Sequence, residues 1–327
     1  MSKTNHLRLF TKDDFIDIRE KFYEKGGAYF LTKLNLSPAN RTKSTFSQHT
    51  HSGSNFWIIP ELQERWKIKI SGSKEESYEA YVIDKFLKDK SDVTLLSLGS
   101  GTSQREFNFA SNPVFKEVEC IDLSESLMEY AYEKSIEKGL TNMSFKASDI
   151  NKMKFKEDHY DVVLFHSSLH HFKHVFQLLQ KIKACLKENG ILVIHDYAGP
   201  KRLQWTQKQI DFTNDLLNNT PEKYKKRLHS EKIKSKVSGP GALRMIISDP
   251  SEAVESNNIR PALEKYFKTI EEKELGGNIV MLYFKDIAHN FLNDDEETKQ
   301  LLKYIFEKED EFLKSEPSNL IFGVYSK

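Results

Sequence analysis

Five histidines crowd into two stretches of this chain: His166, His170, His171 and His174 in YDVVLFHSSLHHFKH, and His195 in NGILVIHDY. Imidazole changes charge near neutral pH and is the commonest general base. His170, His171 and His195 are therefore the candidate catalytic residues. The plainer alternative is a histidine that caps the next helix or satisfies a core hydrogen bond. Asp196 and Tyr197 follow His195 directly. That carboxylate is placed to orient the imidazole or to bind a substrate amine, so both residues are candidate substrate contacts. His170 and His174 are four apart, which on a helix puts two metal ligands on one face. No acid or cysteine nearby in sequence completes such a set, and no metal is expected.

Arg244 is a third substrate candidate. It lies in the loop SGPGALRMIISDPSE, suited to gripping an anionic group, where Gly239 and Gly241 would let the loop move as a lid. The basic run from Lys223 to Lys236, with Lys225, Lys226 and Arg227, is more simply a solvated face than a phosphate site. Nucleic-acid binding would need a larger basic surface interleaved with aromatics.

A second set of residues suits a nucleoside. Leu98-Gly99-Ser100-Gly101-Thr102 is a glycine turn at the end of an apolar run. Glycines let backbone approach a ligand without a Cβ clash, and the helix start that follows offers free N–H groups. Asp122 comes about 20 residues later, where a carboxylate accepts both hydroxyls of a ribose. Ser148-Asp149-Ile150 follows a third run. A carboxylate there can accept from an adenine amino group, and the next N–H can donate to the ring. This geometry serves a nicotinamide cofactor or S-adenosylmethionine (SAM) equally.

The elements that must position these residues alternate in type. VTLLSLGSG, KEVECIDLS, MSFKASD, YDVVLFHSS and NGILVIHDY are short, near-continuous apolar runs, as expected of strands buried on both faces. Two helical patterns lie between them. SESLMEYAYEKSIEKG has Ser124 as N-cap and Gly139 as stop, and VFQLLQKIKACLKENG runs from Val175 to Gly190. Strands alternating with helices predict a doubly wound parallel sheet. Residues 1–80 precede it as a helical N-terminal cap, with Trp57, Trp66, Tyr78 and Tyr81 packing that cap onto the core or walling a pocket. Residues 81–200 form the nucleoside-binding core and 201–260 a cap or lid, with a helix from Gln204 to Asn218. Residues 261–327 return to the sheet, with a helix from Asp294 to Leu313 and a strand from Asn319 to Ser326. That strand, beside the fifth, completes seven.

GSGTS, CIDLSESLMEYA, ASDINKM, YDVVLFHSSLHHF and LKENGILVIHDY resemble, in order and spacing, the motif series of class I SAM-dependent methyltransferases. The resemblance covers about residues 90–200. It implies an α/β fold with a mostly parallel, seven-stranded sheet whose last strand is antiparallel, and SAM as cofactor. It also implies that Gly99, Ser100 and Gly101 pack against the methionine part of SAM, that Asp122 binds the ribose and that Leu123 flanks the adenine. Asp149 and Ile150 would meet the adenine edge, and Phe165 and His166 the methionine amino group. Two positions depart from the pattern: Ser97 stands where an acidic residue is often found, and Ser103 where a third glycine is usual. A dehydrogenase fits less well, because position 104 is Gln. NFWIIPELQERWKIKISG, DYAGPKRLQWTQKQID and SDPSEAV resemble segments of a bacterial subgroup linked to surface-polysaccharide or specialised small-molecule pathways.

Size and composition agree with an enzyme of this kind. The chain has 327 residues, 38% hydrophobic and 30% charged, with a net charge of +1, which gives no overall pull toward nucleic acid or anionic membrane. Cys120 and Cys185 are expected to be reduced and buried, as in a cytoplasmic protein. MSKTNHLRLFTKDDF lacks the apolar core of a secretory signal, and no run is long enough for a membrane helix. The expected activity is methyl transfer from SAM to a small molecule or glycan precursor, O-methylation being favoured for the nearby histidines. N-methylation of an amine or protein side chain, or a SAM-binding subunit without turnover, are the alternatives. A homodimer is the assembly considered.

Overall fold

The computed structural model describes residues 8–25, 54–228 and 232–327. The remainder of the expected N-terminal cap, at 1–7 and 26–53, lies outside the described residues.

The apolar runs become strands: β1 Val93–Leu98, β2 Phe115–Asp122, β3 Met143–Ala147, β4 Tyr160–His166, β5 Leu186–Tyr197, β6 Lys268–Gly276 and β7 Leu320–Ser326. They form one sheet in the order β3-β2-β1-β4-β5-β7-β6. β1 to β5 pair in parallel, and β7 lies antiparallel between β5 and β6. The chain builds outward from β1 in one direction and from β4 in the other. The switch point where a doubly wound sheet binds ligands is thus between the ends of β1 and β4.

The sheet is buried on both faces because successive side chains point to opposite sides. On one face Val93, Leu95, Val118, Val162, Leu164 and Val193 pack under the helices Pro60–Ser71, Tyr78–Val82 and Gln104–Ala110. On the other, Leu96, Leu98, Ile121, Val163, Leu192 and Ile194 pack against the helices Val175–Cys185 and Ile259–Tyr266. Both cysteines are buried and free. Among the described residues no helix is long and apolar enough to cross a membrane.

Five local expectations change. The helix from Val175 ends at Cys185, and Leu186 opens β5 opposite Tyr160. The register break that follows needs Gly190, where a Cβ would lie 2.9 Å from the Tyr160 carbonyl oxygen. The helix expected from Gln204 starts at Gln207, because Thr206 and Gln209 form a reciprocal capping box there. The loop holding Arg244 contains a helix, Ala242–Ser248. Ser124 occupies the N-cap of Glu125–Glu137, but its hydroxyl faces that of Ser126 instead of capping. The proposed boundary at residue 80 falls inside the helix Tyr78–Val82.

The N-terminal segment fastens the cap to the core. Asp13 accepts from the Ser238 and Gly239 amides, and Asp14 from the Gly241 amide and Arg244 Nε. Trp66 Nε1 donates to the Leu275 carbonyl at the end of β6. Tyr78 and Tyr81 rings both meet Phe322 of β7, at 6.0 and 6.1 Å between centroids.

Phe322 is fully buried between that helix and the sheet. Phe322→Ala is expected to lower unfolding stability by about 3–5 kcal/mol in urea titrations. A loss below about 1 kcal/mol would show that the helix is not docked as described.

Candidate functional site

The glycine turn after β1 is fixed from three sides. The Gly99 and Ser100 amides donate to the Ile121 carbonyl at 2.7 and 3.3 Å. Gly99 has φ +72°, and a Cβ there would lie 2.7 Å from Ser168 Cβ. Ser168 Oγ in turn donates to the Leu98 carbonyl at 2.7 Å. The turn is therefore pressed onto the loop after β4 and tolerates no side chain at Gly99. Gly101 has φ +55° and open space around it. Ser103, at the position of the usual third glycine, keeps a left-handed φ of 56° and starts the helix Gln104–Ala110. The backbone shape survives without the glycine.

Asp122 closes the turn from β2. Its two oxygens accept from the Gly101 amide at 3.0 Å and the Ser124 amide at 2.9 Å. Burial raises its carboxyl, and those amide bonds pull the other way. Leu123 beside it is exposed. Asp149 accepts from the Asn151 amide and pairs with Lys152 at 3.2 Å, while Ile150 is buried. Gly99, Gly101, Asp122, Asp149 and Ile150 thus all lie at the strand ends of one half of the sheet.

Strand alternation separates the residues of β4 and β5. His166 and His195 share one face, with ring centroids 4.8 Å apart, and both stack on Tyr78 at 5.4 Å. Neither Nδ1 has a hydrogen-bond partner among the described residues, nor does the Tyr78 hydroxyl. Burial, joined by each one's neighbouring cation or imidazole, keeps both histidines neutral, with His195 at about 4 and His166 well below its ordinary value. Phe165 points the opposite way, fully buried against Phe172. Its side chain is therefore on the face away from His166.

Asp196 does not orient His195, because neighbours in a strand point apart. Its oxygens accept from the Ser168, Leu169 and Tyr197 amides and from His170 Nδ1 at 2.5 Å, at 1% exposure. Its hydrogen bonds thus go to the chain itself, as a structural role requires. Tyr197 is buried too, donating to the Pro200 carbonyl at 3.1 Å.

His170 is a held cation. Burial alone would lower its pKa, but Asp196, then Glu252 and Asp249, push it up to about 9. It cannot serve as a base at neutral pH. His171 next to it is lowered by burial and by the charge on His170, its Nδ1 lies 3.1 Å from Ser251 Oγ, and its positive form would sit near Asp122. The suggested His170–His174 face does not form. His170 lies in the 3-10 turn Leu169–His171, and His174 is a left-handed N-cap. The acid not visible in sequence is Glu252: its carboxylate and the rings of His170 and His171 bring one ligand atom each within 4.8 Å of one another.

Arg244 lies away from this group, paired with Asp14. It lines a cavity of about 210 Å³ together with Phe56, Trp205, Arg227, Lys234 and Lys285. Phe56 packs on Trp66 at 6.0 Å, and Trp66 on His195 at 6.3 Å, so an aromatic path joins cavity and strand ends.

Sequence reasoning missed Glu106. It is 2% exposed, and its Oε1 accepts from Ser97 Oγ at 2.6 Å. Burial pushes its carboxyl up to about 7. The available signal was its place beside Phe109 and Ala110 at helical spacing, which puts an acid on the inward face.

A family model described as "Methyltransferase domain" matches residues 89–309. The uncharacterized methyltransferase YcgJ of Bacillus subtilis is 23% identical over 34% of this chain and 44% of its own length. The ubiquinone/menaquinone biosynthesis C-methyltransferase UbiE of Pseudomonas aeruginosa is 27% identical over 43% of this chain and 50% of its own. The chain spans about half the length of the curated relatives it matches. Among solved structures, a SAM-dependent methyltransferase from Aquifex aeolicus aligns over 81% of this chain and 94% of its own, with TM-score 0.41 and 16% identity.

The His170–Asp196 pair carries a pH signature. A pKa raised from 6.5 to about 9 on folding means stability fully present below pH 6.5 and lost as pH rises through about 9. In urea melts, the gap between wild type and His170→Asn is expected to be widest below pH 6.5 and to shrink toward pH about 9. A gap that stays constant over this range would mean that His170 is not held as a cation.

Proposed function

This chain belongs to the class I SAM-dependent methyltransferases, and we propose that it transfers the methyl group of SAM to a small-molecule or sugar-containing acceptor, with a hydroxyl as the favoured target. The observation that supports this reading is the shape of the switch-point turn. Gly99 is tight against Ser168, whereas Gly101 is open on its far side. The first feature fixes the turn, and the second leaves room for a ligand over it.

In this reading Gly99, Ser100 and Gly101 cradle the methionine part of SAM. Asp122 shares its two oxygens between its own amides and the ribose hydroxyls. Leu123 flanks the adenine, Asp149 accepts from its amino group, and the Ile150 N–H donates to its ring. His166 offers its unpartnered Nδ1 to the amino-acid end. When bound, SAM supplies an electrophilic methyl carbon on a sulfonium.

The chain's own work is to hold the acceptor in line with that carbon and to take its proton. Of the three histidines considered for this, His170 is already protonated at neutral pH. His195 is sealed beneath Tyr78 and Trp66. His171 is neutral, partly exposed and near Asp122, so it takes the proton of an acceptor hydroxyl. In this reading the acceptor enters the cavity beyond Trp66, lined by aromatic Phe56 and Trp205 and by basic groups that are already engaged: Arg227 and Lys285 pair with Asp286, Arg244 with Asp14, and Lys234 donates to three carbonyls.

Calorimetric titration with SAM and with S-adenosylhomocysteine tests the cofactor site. Wild type is expected to bind both in the micromolar range, and Asp122→Ala to weaken both at least about tenfold through lost charge-assisted hydrogen bonds. Unchanged binding in the variant would overturn the assignment of Asp122.

A further inference from the structure

The charges beneath the glycine turn do not balance. Glu106 extends from the first turn of its helix to the underside of β1, where the Ser97 hydroxyl is its side-chain hydrogen-bond partner. Glu79, on the helix that covers this spot, is 1% exposed and accepts from Asn108 Nδ2 at 3.1 Å. Among the described residues Arg105 is the cation close to both acids, and its guanidinium reaches outward to Glu79 at 3.5 Å, its side chain 46% exposed. The other groups that face Glu106 are the Tyr78 phenol and the Cys120 thiol, both neutral through burial. Two buried carboxylates therefore share one half-exposed cation.

A buried carboxylate without a matched cation is costly, and proteins avoid it unless a ligand supplies the charge. Asp122 holds two amides, and Asp196 holds three amides and His170. Glu79 puts one oxygen on Arg105 and Asn108, and its other oxygen is buried without a partner among the described residues. Glu106 has the Ser97 hydroxyl as its side-chain partner and no ion pair among the described residues. Beside it stands Tyr78, with its hydroxyl unpartnered and its ring flat against His166, whose Nδ1 is also unpartnered. An acid without an ion pair, and beside it a phenol and an imidazole nitrogen without hydrogen-bond partners among the described residues, lie beneath the turn. That set accepts a group with several N–H donors and a positive charge.

We propose that Glu106, steadied by Ser97, is the residue that receives the α-ammonium group of SAM. The assignment rests on the cofactor reading above and adds to it the residue that recognises the amino-acid tail. It explains why a charged side chain is kept in an otherwise apolar layer. It also gives cofactor binding a pH dependence: the ammonium needs the carboxylate form, so affinity falls as pH drops through about 7. Ligand binding near that pH releases a proton from Glu106.

Calorimetry with two ligands tests this. S-adenosylhomocysteine carries the ammonium, and 5′-methylthioadenosine keeps the nucleoside and thioether without it. Wild type should prefer the first, and lose that preference as pH falls through about 7. Glu106→Gln should weaken S-adenosylhomocysteine about ten- to a hundredfold, leave methylthioadenosine unchanged and lose the pH dependence. The double variant Ser97→Asp/Glu106→Ala, which returns a carboxylate to the same spot from β1, should restore the preference. If folded Glu106→Gln keeps the wild-type ratio of the two affinities, or wild type shows no pH dependence, the assignment is overturned. If wild type binds neither ligand, the cofactor reading itself fails and this assignment with it.

Discussion

The buried carboxylate of Asp196 is the constraint on which the site depends. From the end of β5 it gathers the Ser168 and Leu169 amides, its neighbour's amide and the His170 ring. This shapes the loop after β4. Ser168, so placed, ties back to the Leu98 carbonyl and presses on Gly99, which fixes the glycine turn. The turn then offers the Gly101 amide to Asp122, and Asp122 sets the start of the next helix through the Ser124 amide. A chain of short polar contacts thus runs across four strand ends from β5 to β2. An ionised group at 1% exposure is stable only when its partners are all present, so the loop has one arrangement.

The pleat of the sheet assigns chemistry to two faces. Toward the helix Tyr78–Val82 lie His166, His195, Glu106 and Ser97, neutral or short of partners and near the turn. On the other face lie Asp196 and His170, charged and fully engaged. The engaged face supplies rigidity, and the face with unpartnered groups is left for ligands. Preorganisation of this kind costs stability in the free protein and is recovered when a ligand completes the set. The cap belongs to the same scheme, with Asp13 and Asp14 fastening the loop that bears Arg244 over the cavity.

Much of this was legible in the sequence because it depends on local order. Continuous apolar runs identify strands buried on both faces, and the residue after each run is at a strand end by construction. That is why Gly99, Asp122 and Asp149 fall where the sequence placed them. The end of the helix at Cys185 was hidden, since LKEN is as good a helix former as a strand start. The break is decided by Gly190 fitting under the Tyr160 carbonyl. The roles of Asp196 and Phe165 follow from alternation, a rule that was available, but their partners come from other segments. Glu252 reaching His170 across 3.8 Å, and Glu106 reaching Ser97, are meetings between elements that no spacing announces.

The central claim is that the open side of the Gly99–Gly101 turn holds SAM with its ribose on Asp122. A crystal structure of the protein grown with S-adenosylhomocysteine tests it most directly. The expected result is density over the turn, with ribose hydroxyls on Asp122, adenine beside Asp149 and Ile150, and the amino-acid tail toward His166 and Glu106. Density for the ligand elsewhere, with this turn filled by side chains or water, would contradict the account.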